Sequence, residues 1–149
     1  MNNNRNNQSN RGGQNTGGNA FPEIKALPLP EDYIDIADKL MRERQCGGIT
    51  TTKIRKIIAM FMEIFNVELG SKAAGLSTES YRKLQQLHIR VAYEAGRDRD
   101  VKKFVEATCL LSYIKHVEAH KDSNRQSFIE LTHYVEALVA YHRYYGGKD

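Results

Sequence analysis

Apolar residues recur along most of this chain at the three- and four-residue spacing that is typical of amphipathic helices. The longest such pattern predicts a helix over about residues 52–69. Its apolar face consists of Ile54, Ile57, Ile58, Phe61, Phe65 and Leu69. Shorter versions of the pattern predict helices over about residues 31–45, 78–96, 99–120 and 124–145. Because no segment alternates as a strand does, the sequence predicts an all-α fold, a compact bundle of about five helices.

Residues with strong positional preferences mark the ends of the predicted helices. Two glycine pairs follow the first and the last helix, and Ser77 and Asp98 are predicted N-caps of the third and fourth. The apolar surface over residues 99–120 is unusually broad. It predicts one long helix that is buried on more than one side, with Cys109 as a small core residue.

The N-terminal part of the chain has a different composition. Residues 1–20 are almost entirely Asn, Gln, Gly, Ser and Arg, and three prolines then mark an extended lead-in. We therefore predict a disordered tail and lead-in over residues 1–30, followed by a helical domain over residues 31–149. The tail either solubilises the chain, which is the commoner use of such segments, or touches nucleic acid through Arg5 and Arg11.

Composition restricts the possible functions without choosing among them. The net charge is +4, and the two arginines of the tail supply half of it, so the surplus alone does not identify a nucleic-acid binder. No apolar stretch approaches the ~20 residues that cross a bilayer, and the N-terminus lacks a signal peptide's apolar segment. Two cysteines without metal-type spacing suit a reduced compartment, so we expect a cytoplasmic protein with no membrane association.

The start of the second helix combines hydroxyls and cations. Thr51 and Thr52 precede Lys53, Arg55 and Lys56. Cations in the first helical turn oppose the positive end of the helix dipole, and a bound anion would remove that conflict. The segment therefore predicts a phosphate site in which the threonines donate hydrogen bonds. The alternative is that the threonines only cap the helix and the cations are solvated.

The third helix carries a second basic stripe. Lys83, Arg90 and Arg97 lie seven residues apart, with Gln86 and Tyr93 beside them. Basic residues interleaved with an aromatic suit contacts to a nucleic-acid backbone with some base or sugar stacking. The alternative is an ordinary exposed helix face.

On the last helix, His142 continues the buried row and is predicted to be a packed, hydrogen-bonded histidine, whereas Arg143 projects elsewhere and is a better candidate for contacting a ligand. The neighbouring tyrosines suit core packing, a subunit contact or a stacking surface.

No pattern predicts catalysis. His116 and His120 are one helical turn apart, but no third metal ligand is evident, and there is no His-Glu-x-x-His motif or phosphate-binding glycine loop. We therefore predict no catalytic residue, no metal and no cofactor. Three hypotheses remain: a protein that binds a nucleic-acid backbone, a helical protein-interaction module, and a metal-dependent nuclease that uses the two histidines.

These motifs together resemble a known family, the small subunit of the type III-A CRISPR effector, or Csm, complex. The stretches that carry the resemblance are residues 51–55 (TTKIR), 90–97 (RVAYEAGR), 134–144 (YVEALVAYHRY) and 146–149 (GGKD). Their order and positions match over roughly residues 30–149. Thr52 stands where the family often has serine, which keeps the hydroxyl.

The resemblance implies a non-catalytic subunit that stacks with neighbouring copies along the complex and contacts RNA. It implies other Csm subunits, crRNA and target RNA as partners, with RNA and DNA cleavage left to partner subunits. The residues expected to contact RNA are Thr51, Thr52, Lys53, Arg55, Lys56, Arg90, Arg97 and Arg143. The rival hypothesis is a helical module that only scaffolds the complex and does not touch RNA.

Overall fold

The computed structural model describes residue 18 and residues 20–149, and within them the chain forms six α-helices and no β-strand. The helices are α1 Tyr33–Arg42, α2 Thr51–Glu68, α3 Thr78–Arg97, α4 Arg99–Ala107, α5 Leu110–Ala119 and α6 Arg125–Tyr144. The all-α prediction is confirmed. The predicted disordered tail falls mostly on residues 1–17 and 19, outside the described part of the chain.

Helix α6 is the central element of the bundle, since it packs against α1, α2 and α5, while α3 packs against α2, α4 and α5. The Phe61 and Phe128 rings stack at 5.9 Å between centroids and join α2 to α6. Tyr134 on α6 is buried and makes edge-on contacts with Tyr33 and Tyr113, at 6.3 and 5.7 Å between centroids. Aromatic side chains therefore bind α1, α2 and α5 to the same central helix.

The prediction of one long helix over residues 99–120 is wrong, and the described residues contain six helices rather than about five. The chain breaks between α4 and α5 at Cys109, which has φ +55° in the left-handed region and lies half-buried beside the core. The Thr108 hydroxyl donates to the Phe104 carbonyl at 2.8 Å, and the Thr108 carbonyl accepts from the buried Tyr134 hydroxyl at 3.0 Å. Because α4 and α5 each bury an apolar face, the spacing of apolar residues continues across Cys109, and the sequence pattern does not indicate that the helix ends there.

The first helix is shorter than predicted. It ends at Arg42, and Arg44 (φ +55°) and Gly47 (φ +69°) then turn the chain toward α2. Thr50 is the N-cap of α2, and its hydroxyl oxygen accepts from the Lys53 backbone N–H at 3.3 Å. The helix thus begins at Thr51, one residue before the predicted start.

The corner between α2 and α3 is anchored by the start of α6. The buried Asn124 side chain accepts from the Leu76 N–H and donates to the Val117 carbonyl, each at 2.9 Å. The Arg125 guanidinium donates to the last carbonyls of α2, at 2.9 and 2.6 Å from the Glu68 oxygen. A Cβ on Gly75 would lie 2.7 Å from the Lys121 carbonyl oxygen, so only glycine fits there without a shift of the backbone. These contacts hold α3 alongside α2.

Candidate nucleic-acid interface

A groove of about 580 Å³ runs between α2 and α3 and reaches the start of α4. Helix α2 contributes Lys53 and Lys56 to its lining, and α3 contributes Arg90 and Arg97. The groove continues into a smaller recess of about 80 Å³ that is bordered by Lys83 and Gln86. The fold therefore joins the basic end of α2 and the basic stripe of α3, which the sequence presents as separate features.

Carboxylates also line this groove. Lys53 Nζ lies 2.7 Å from Asp98 Oδ2 and 3.9 Å from Asp100 Oδ2. Asp98 is also the N-cap of α4, because its Oδ1 accepts from the backbone N–H groups of residues 100 and 101 at 2.9 and 3.2 Å. The hydrogen bond to Asp98 raises the pKa of Lys53, and the same bond, with the backbone donors, lowers the pKa of Asp98. The repulsion between Lys53 and the positive end of the α2 dipole is thus offset by carboxylates of the protein itself.

Arg97 is the second paired cation of the groove. Its Nε lies 3.3 Å from Glu94 Oε2, one turn earlier on α3. Its guanidinium carbon also lies 5.9 Å from the centre of the Tyr93 ring, within the range of a cation–π contact. Because the Arg97 side chain is 60% exposed, most of its charge still faces solvent.

Lys56 and Arg90 differ from these two cations. Both side chains are exposed on the walls of the groove, one on α2 and one on α3. Neither forms an ion pair or a side-chain hydrogen bond with any residue that the structure describes. They are therefore the cations of the groove that an external anion can bind without displacing a carboxylate.

Thr51 is placed differently from what we expected. It is buried, and its hydroxyl lies 3.1 Å from His142 Nδ1 and 3.0 Å from the Lys148 carbonyl oxygen. These internal partners leave the hydroxyl no path to an external phosphate, whereas Thr52 in the same turn is exposed. The spacing of the threonines indicated a helix start but held no signal for a partner more than 90 residues away.

His142 has the packed, hydrogen-bonded role that its position predicted. It is buried, and its Nε2 donates to the Ile49 carbonyl at 2.8 Å. Gly146 has φ +78°, and a Cβ on Gly147 would lie 2.1 Å from the His142 ring. The two final glycines therefore let the chain reverse closely over the imidazole, a role beyond ending the last helix.

Two predicted contact residues lie outside the groove lining. Arg55 is exposed on α2 and does not line the groove, and it has no ion-pair partner within residues 20–149. Arg143 is exposed near the end of α6 and pairs with the Asp149 carboxylate. The structure therefore brings together Lys53, Lys56, Arg90 and Arg97, and leaves Arg55 and Arg143 apart from them.

Among the residues that the structure describes, no third metal ligand accompanies His116 of α5 and His120, the C-cap of that helix. The His116 and His120 rings lie 4.2 Å apart between centroids, and His120 Nδ1 lies 2.7 Å from the His116 carbonyl oxygen. Burial, together with the neighbouring His120 ring, lowers the pKa of His116. Within the described part of the chain, no group of three or more His, Cys, Asp or Glu side chains is arranged to hold a metal ion.

None of the helices described here combines the length and the apolar composition that a membrane span requires.

Comparison with known proteins identifies similar chains. A family model described as Csm2 Type III-A matches residues 28–148. Several curated relatives carry the name CRISPR system Cms protein Csm2. The relative from Streptococcus thermophilus is 29% identical over 129 residues, which cover 83% of this chain and 99% of that protein. The relative from Mycobacterium tuberculosis (strain ATCC 25618 / H37Rv) is 27% identical over 124 residues, covering 81% and 97%. The relative from Enterococcus italicus is 31% identical over 103 residues, covering 69% and 72%.

Proposed function

Because the chain belongs to the Csm2 type III-A family, we propose that it is a non-catalytic small subunit of a type III-A CRISPR complex and contacts RNA phosphates through the α2–α3 groove. The observation that carries this proposal is the placement of Lys56 and Arg90, two exposed cations without described ion-pair partners, on opposite walls of one groove. In this proposal the cleavage reactions belong to partner subunits.

The residues of the groove divide into two groups. Lys56 and Arg90 supply the principal phosphate contacts, since no carboxylate competes for them. Lys53 and Arg97 are already paired with Asp98 and Glu94, so they add a weaker positive potential. Charged pairs at this degree of exposure are screened by solvent and can exchange partners with a phosphate.

Three further residues that were predicted to contact RNA lie outside the groove lining. Thr52 offers an exposed hydroxyl at the positive end of α2. Arg55 and Arg143 extend the basic surface beyond the groove. We leave Thr51 out of the RNA contacts and assign its hydroxyl to the contact with the C-terminal segment.

The groove suits recognition of a backbone rather than of a base sequence. Its polar lining consists of flexible cations and carboxylates, and duplex RNA is read mainly through phosphates and ribose hydroxyls. Glu63, Glu94 and Asp98 also line the groove, which limits its positive potential. We therefore expect weak binding by the isolated chain and stronger binding when neighbouring copies in a complex add phosphate contacts.

Assembly with other Csm subunits and with neighbouring copies completes the proposal. Exposed apolar side chains lie on α1 and at the end of α6, where Ile34 is 51% and Tyr144 is 79% exposed. These two places are suitable for subunit contacts, because association would remove their apolar surface from water.

The proposal is tested by removing two charges from the groove and two from elsewhere. Lys56→Gln/Arg90→Gln is the test variant, and Lys39→Gln/Arg42→Gln on α1 is the control with the same loss of charge. Fluorescence anisotropy with labelled RNA at low and moderate salt should show a selective loss of affinity in the test variant, with a salt slope lower by roughly 0.7–0.9 per lost phosphate contact. Equal affinities of the two variants would contradict the groove assignment and favour the protein-interaction module.

A further inference from the structure

Beside the groove, α3 exposes two large side chains that the phosphate contacts do not use. Ile89 is 69% exposed and Tyr93, one turn later, is 64% exposed. Gln86, seven residues before Tyr93, is also exposed and borders the recess that continues the groove. A single exposed apolar residue is ordinary, but two adjacent ones at the edge of a candidate binding groove need an explanation.

The geometry of a helix places these residues next to the cations. At 100° per residue, Arg90 and Arg97 form the row at the rim of the groove, and Gln86 and Tyr93 form the next row outward. Ile89 lies beyond that row. The Arg97 guanidinium carbon is 5.9 Å from the Tyr93 ring centre, so the ring is held beside a cation that also lines the groove. A chain whose phosphates follow the groove would therefore pass directly beside this ring.

We propose that Tyr93 stacks on an unpaired nucleobase of the RNA whose phosphates lie in the α2–α3 groove. This inference rests on the proposed function and narrows its ligand to RNA with at least one base out of the helix. In a continuous A-form duplex the base faces are covered by their neighbours, so only an unstacked base can lie flat on an exposed ring. Aromatic rings bind bases in this way with little preference for sequence.

The charges around Tyr93 favour a polyanion over a protein surface. The exposed face of α3 carries Arg82, Arg90 and Arg97. The one carboxylate between residues 82 and 97 is Glu94, which is half-buried and paired with Arg97. The Gln86 amide on the same row offers both a donor and an acceptor to the edge of a base. An apolar ring bordered by cations therefore matches a nucleotide, which combines a flat base with a phosphate.

The first test compares single-stranded RNA with a blunt duplex of the same sequence. Tyr93→Ala should weaken single-strand binding roughly 5- to 150-fold, the range that removal of one base–aromatic stack produces, and should change duplex binding less than about twofold. Tyr93→Phe should retain wild-type affinity for both. Tyr144→Ala removes an exposed tyrosine at the end of α6 and should change neither. Circular dichroism would check that every variant keeps its helices.

A second measurement applies even where the isolated chain binds weakly. In the complex with partner subunits, RNA containing 4-thiouridine should crosslink to the tryptic peptide of residues 91–97, which contains Tyr93. Unchanged single-strand affinity in Tyr93→Ala, an equal loss for single strand and duplex, or no crosslink to this peptide would each overturn the stacking proposal. If Lys56→Gln/Arg90→Gln lowers affinity while Tyr93→Ala does not, phosphate binding in the groove is supported and only the stacking proposal is rejected. If neither variant changes the affinity, both the stacking proposal and the proposed RNA-binding function of the groove are rejected.

Discussion

The carbonyl oxygen of Lys148 accepts a hydrogen bond from the backbone N–H of Thr51 at 2.7 Å, so the end of the chain closes the first turn of α2. The first N–H groups of a helix have no partner within the helix. Here one of them is satisfied by a residue 97 positions later. The close approach depends on Gly147, which lies against the His142 ring.

Replacing Gly147 with alanine should therefore destabilise the protein. The added Cβ would lie 2.1 Å from the imidazole of His142, so either the ring or the C-terminal segment must move. We expect a loss of about 1–3 kcal/mol in the free energy of unfolding. Gly96→Ala is the control, because that position is helical and open, and alanine there should stabilise by about 0.5–1 kcal/mol. Thermal unfolding followed by circular dichroism distinguishes the two, and equal shifts would contradict this account.

Asn124→Ala should loosen the corner between α2 and α3. The substitution leaves the Leu76 N–H without its partner, at a cost of about 1–3 kcal/mol if that group stays buried. The Val117 carbonyl loses the Asn124 amide and keeps only the longer bond from the His120 N–H, at 3.4 Å. Hydrogen exchange should accelerate at the Leu76 amide in particular. Asn66→Ala, at an exposed position of α2, should leave that amide unchanged. Slow exchange at Leu76 in both variants would show that other contacts hold the corner.

The stability of the fold should depend on the ionised form of Glu68. Burial alone raises the pKa of this carboxyl, but hydrogen bonds from Ser80 and Ser77 more than offset it, and the net shift is downward. The nearby Arg125 guanidinium, 4.0 Å away, acts in the same direction. A carboxyl whose pKa is lower in the folded state stabilises the fold when the pH is above the pKa of the unfolded chain, which is about 4.5. That contribution is lost as the pH falls through the folded pKa.

Glu68→Gln should remove this part of the acid dependence. Urea unfolding between pH 7 and pH 3 should show a wild-type free energy that declines below about pH 5, and a smaller decline in the variant. At pH 7 the variant should be less stable than the wild type. Glu130→Gln, at an exposed position of α6, is the control and should follow the wild-type curve. Parallel curves for Glu68→Gln and the wild type would refute the assignment.

Asp98→Asn should increase the affinity for RNA. Asparagine can still cap α4, but it no longer neutralises Lys53, whose ammonium would then be available to a phosphate. We expect a rise of up to about fivefold at low salt, which is the scale of one exposed ion pair. Asp35→Asn on α1 changes the net charge equally, away from the groove, and should have a smaller effect. Anisotropy binding compares the two variants, and a loss of affinity in Asp98→Asn would mean that the cap matters more than the charge.

The family resemblance seen in the sequence is confirmed by the match to the Csm2 type III-A family over residues 28–148. The sequence also predicted most of the helices, because the periodicity of apolar residues is a local property of the chain. It failed at Cys109, where the Thr108 carbonyl at the break accepts a hydrogen bond from the Tyr134 hydroxyl, 26 residues away. A left-handed residue that is not glycine leaves no local signal.

The sequence by itself determined the all-α class, the family and the identity of the basic residues. Only the tertiary structure decided which of those residues share a surface and which are already paired. The antiparallel packing of α2 and α3 places Lys56 opposite Arg90, and the start of α4 pairs Asp98 with Lys53. The reason is physical: helix formation and amphipathic faces follow from neighbours within a few turns, whereas the partner of a charged side chain depends on distances between segments far apart in the chain.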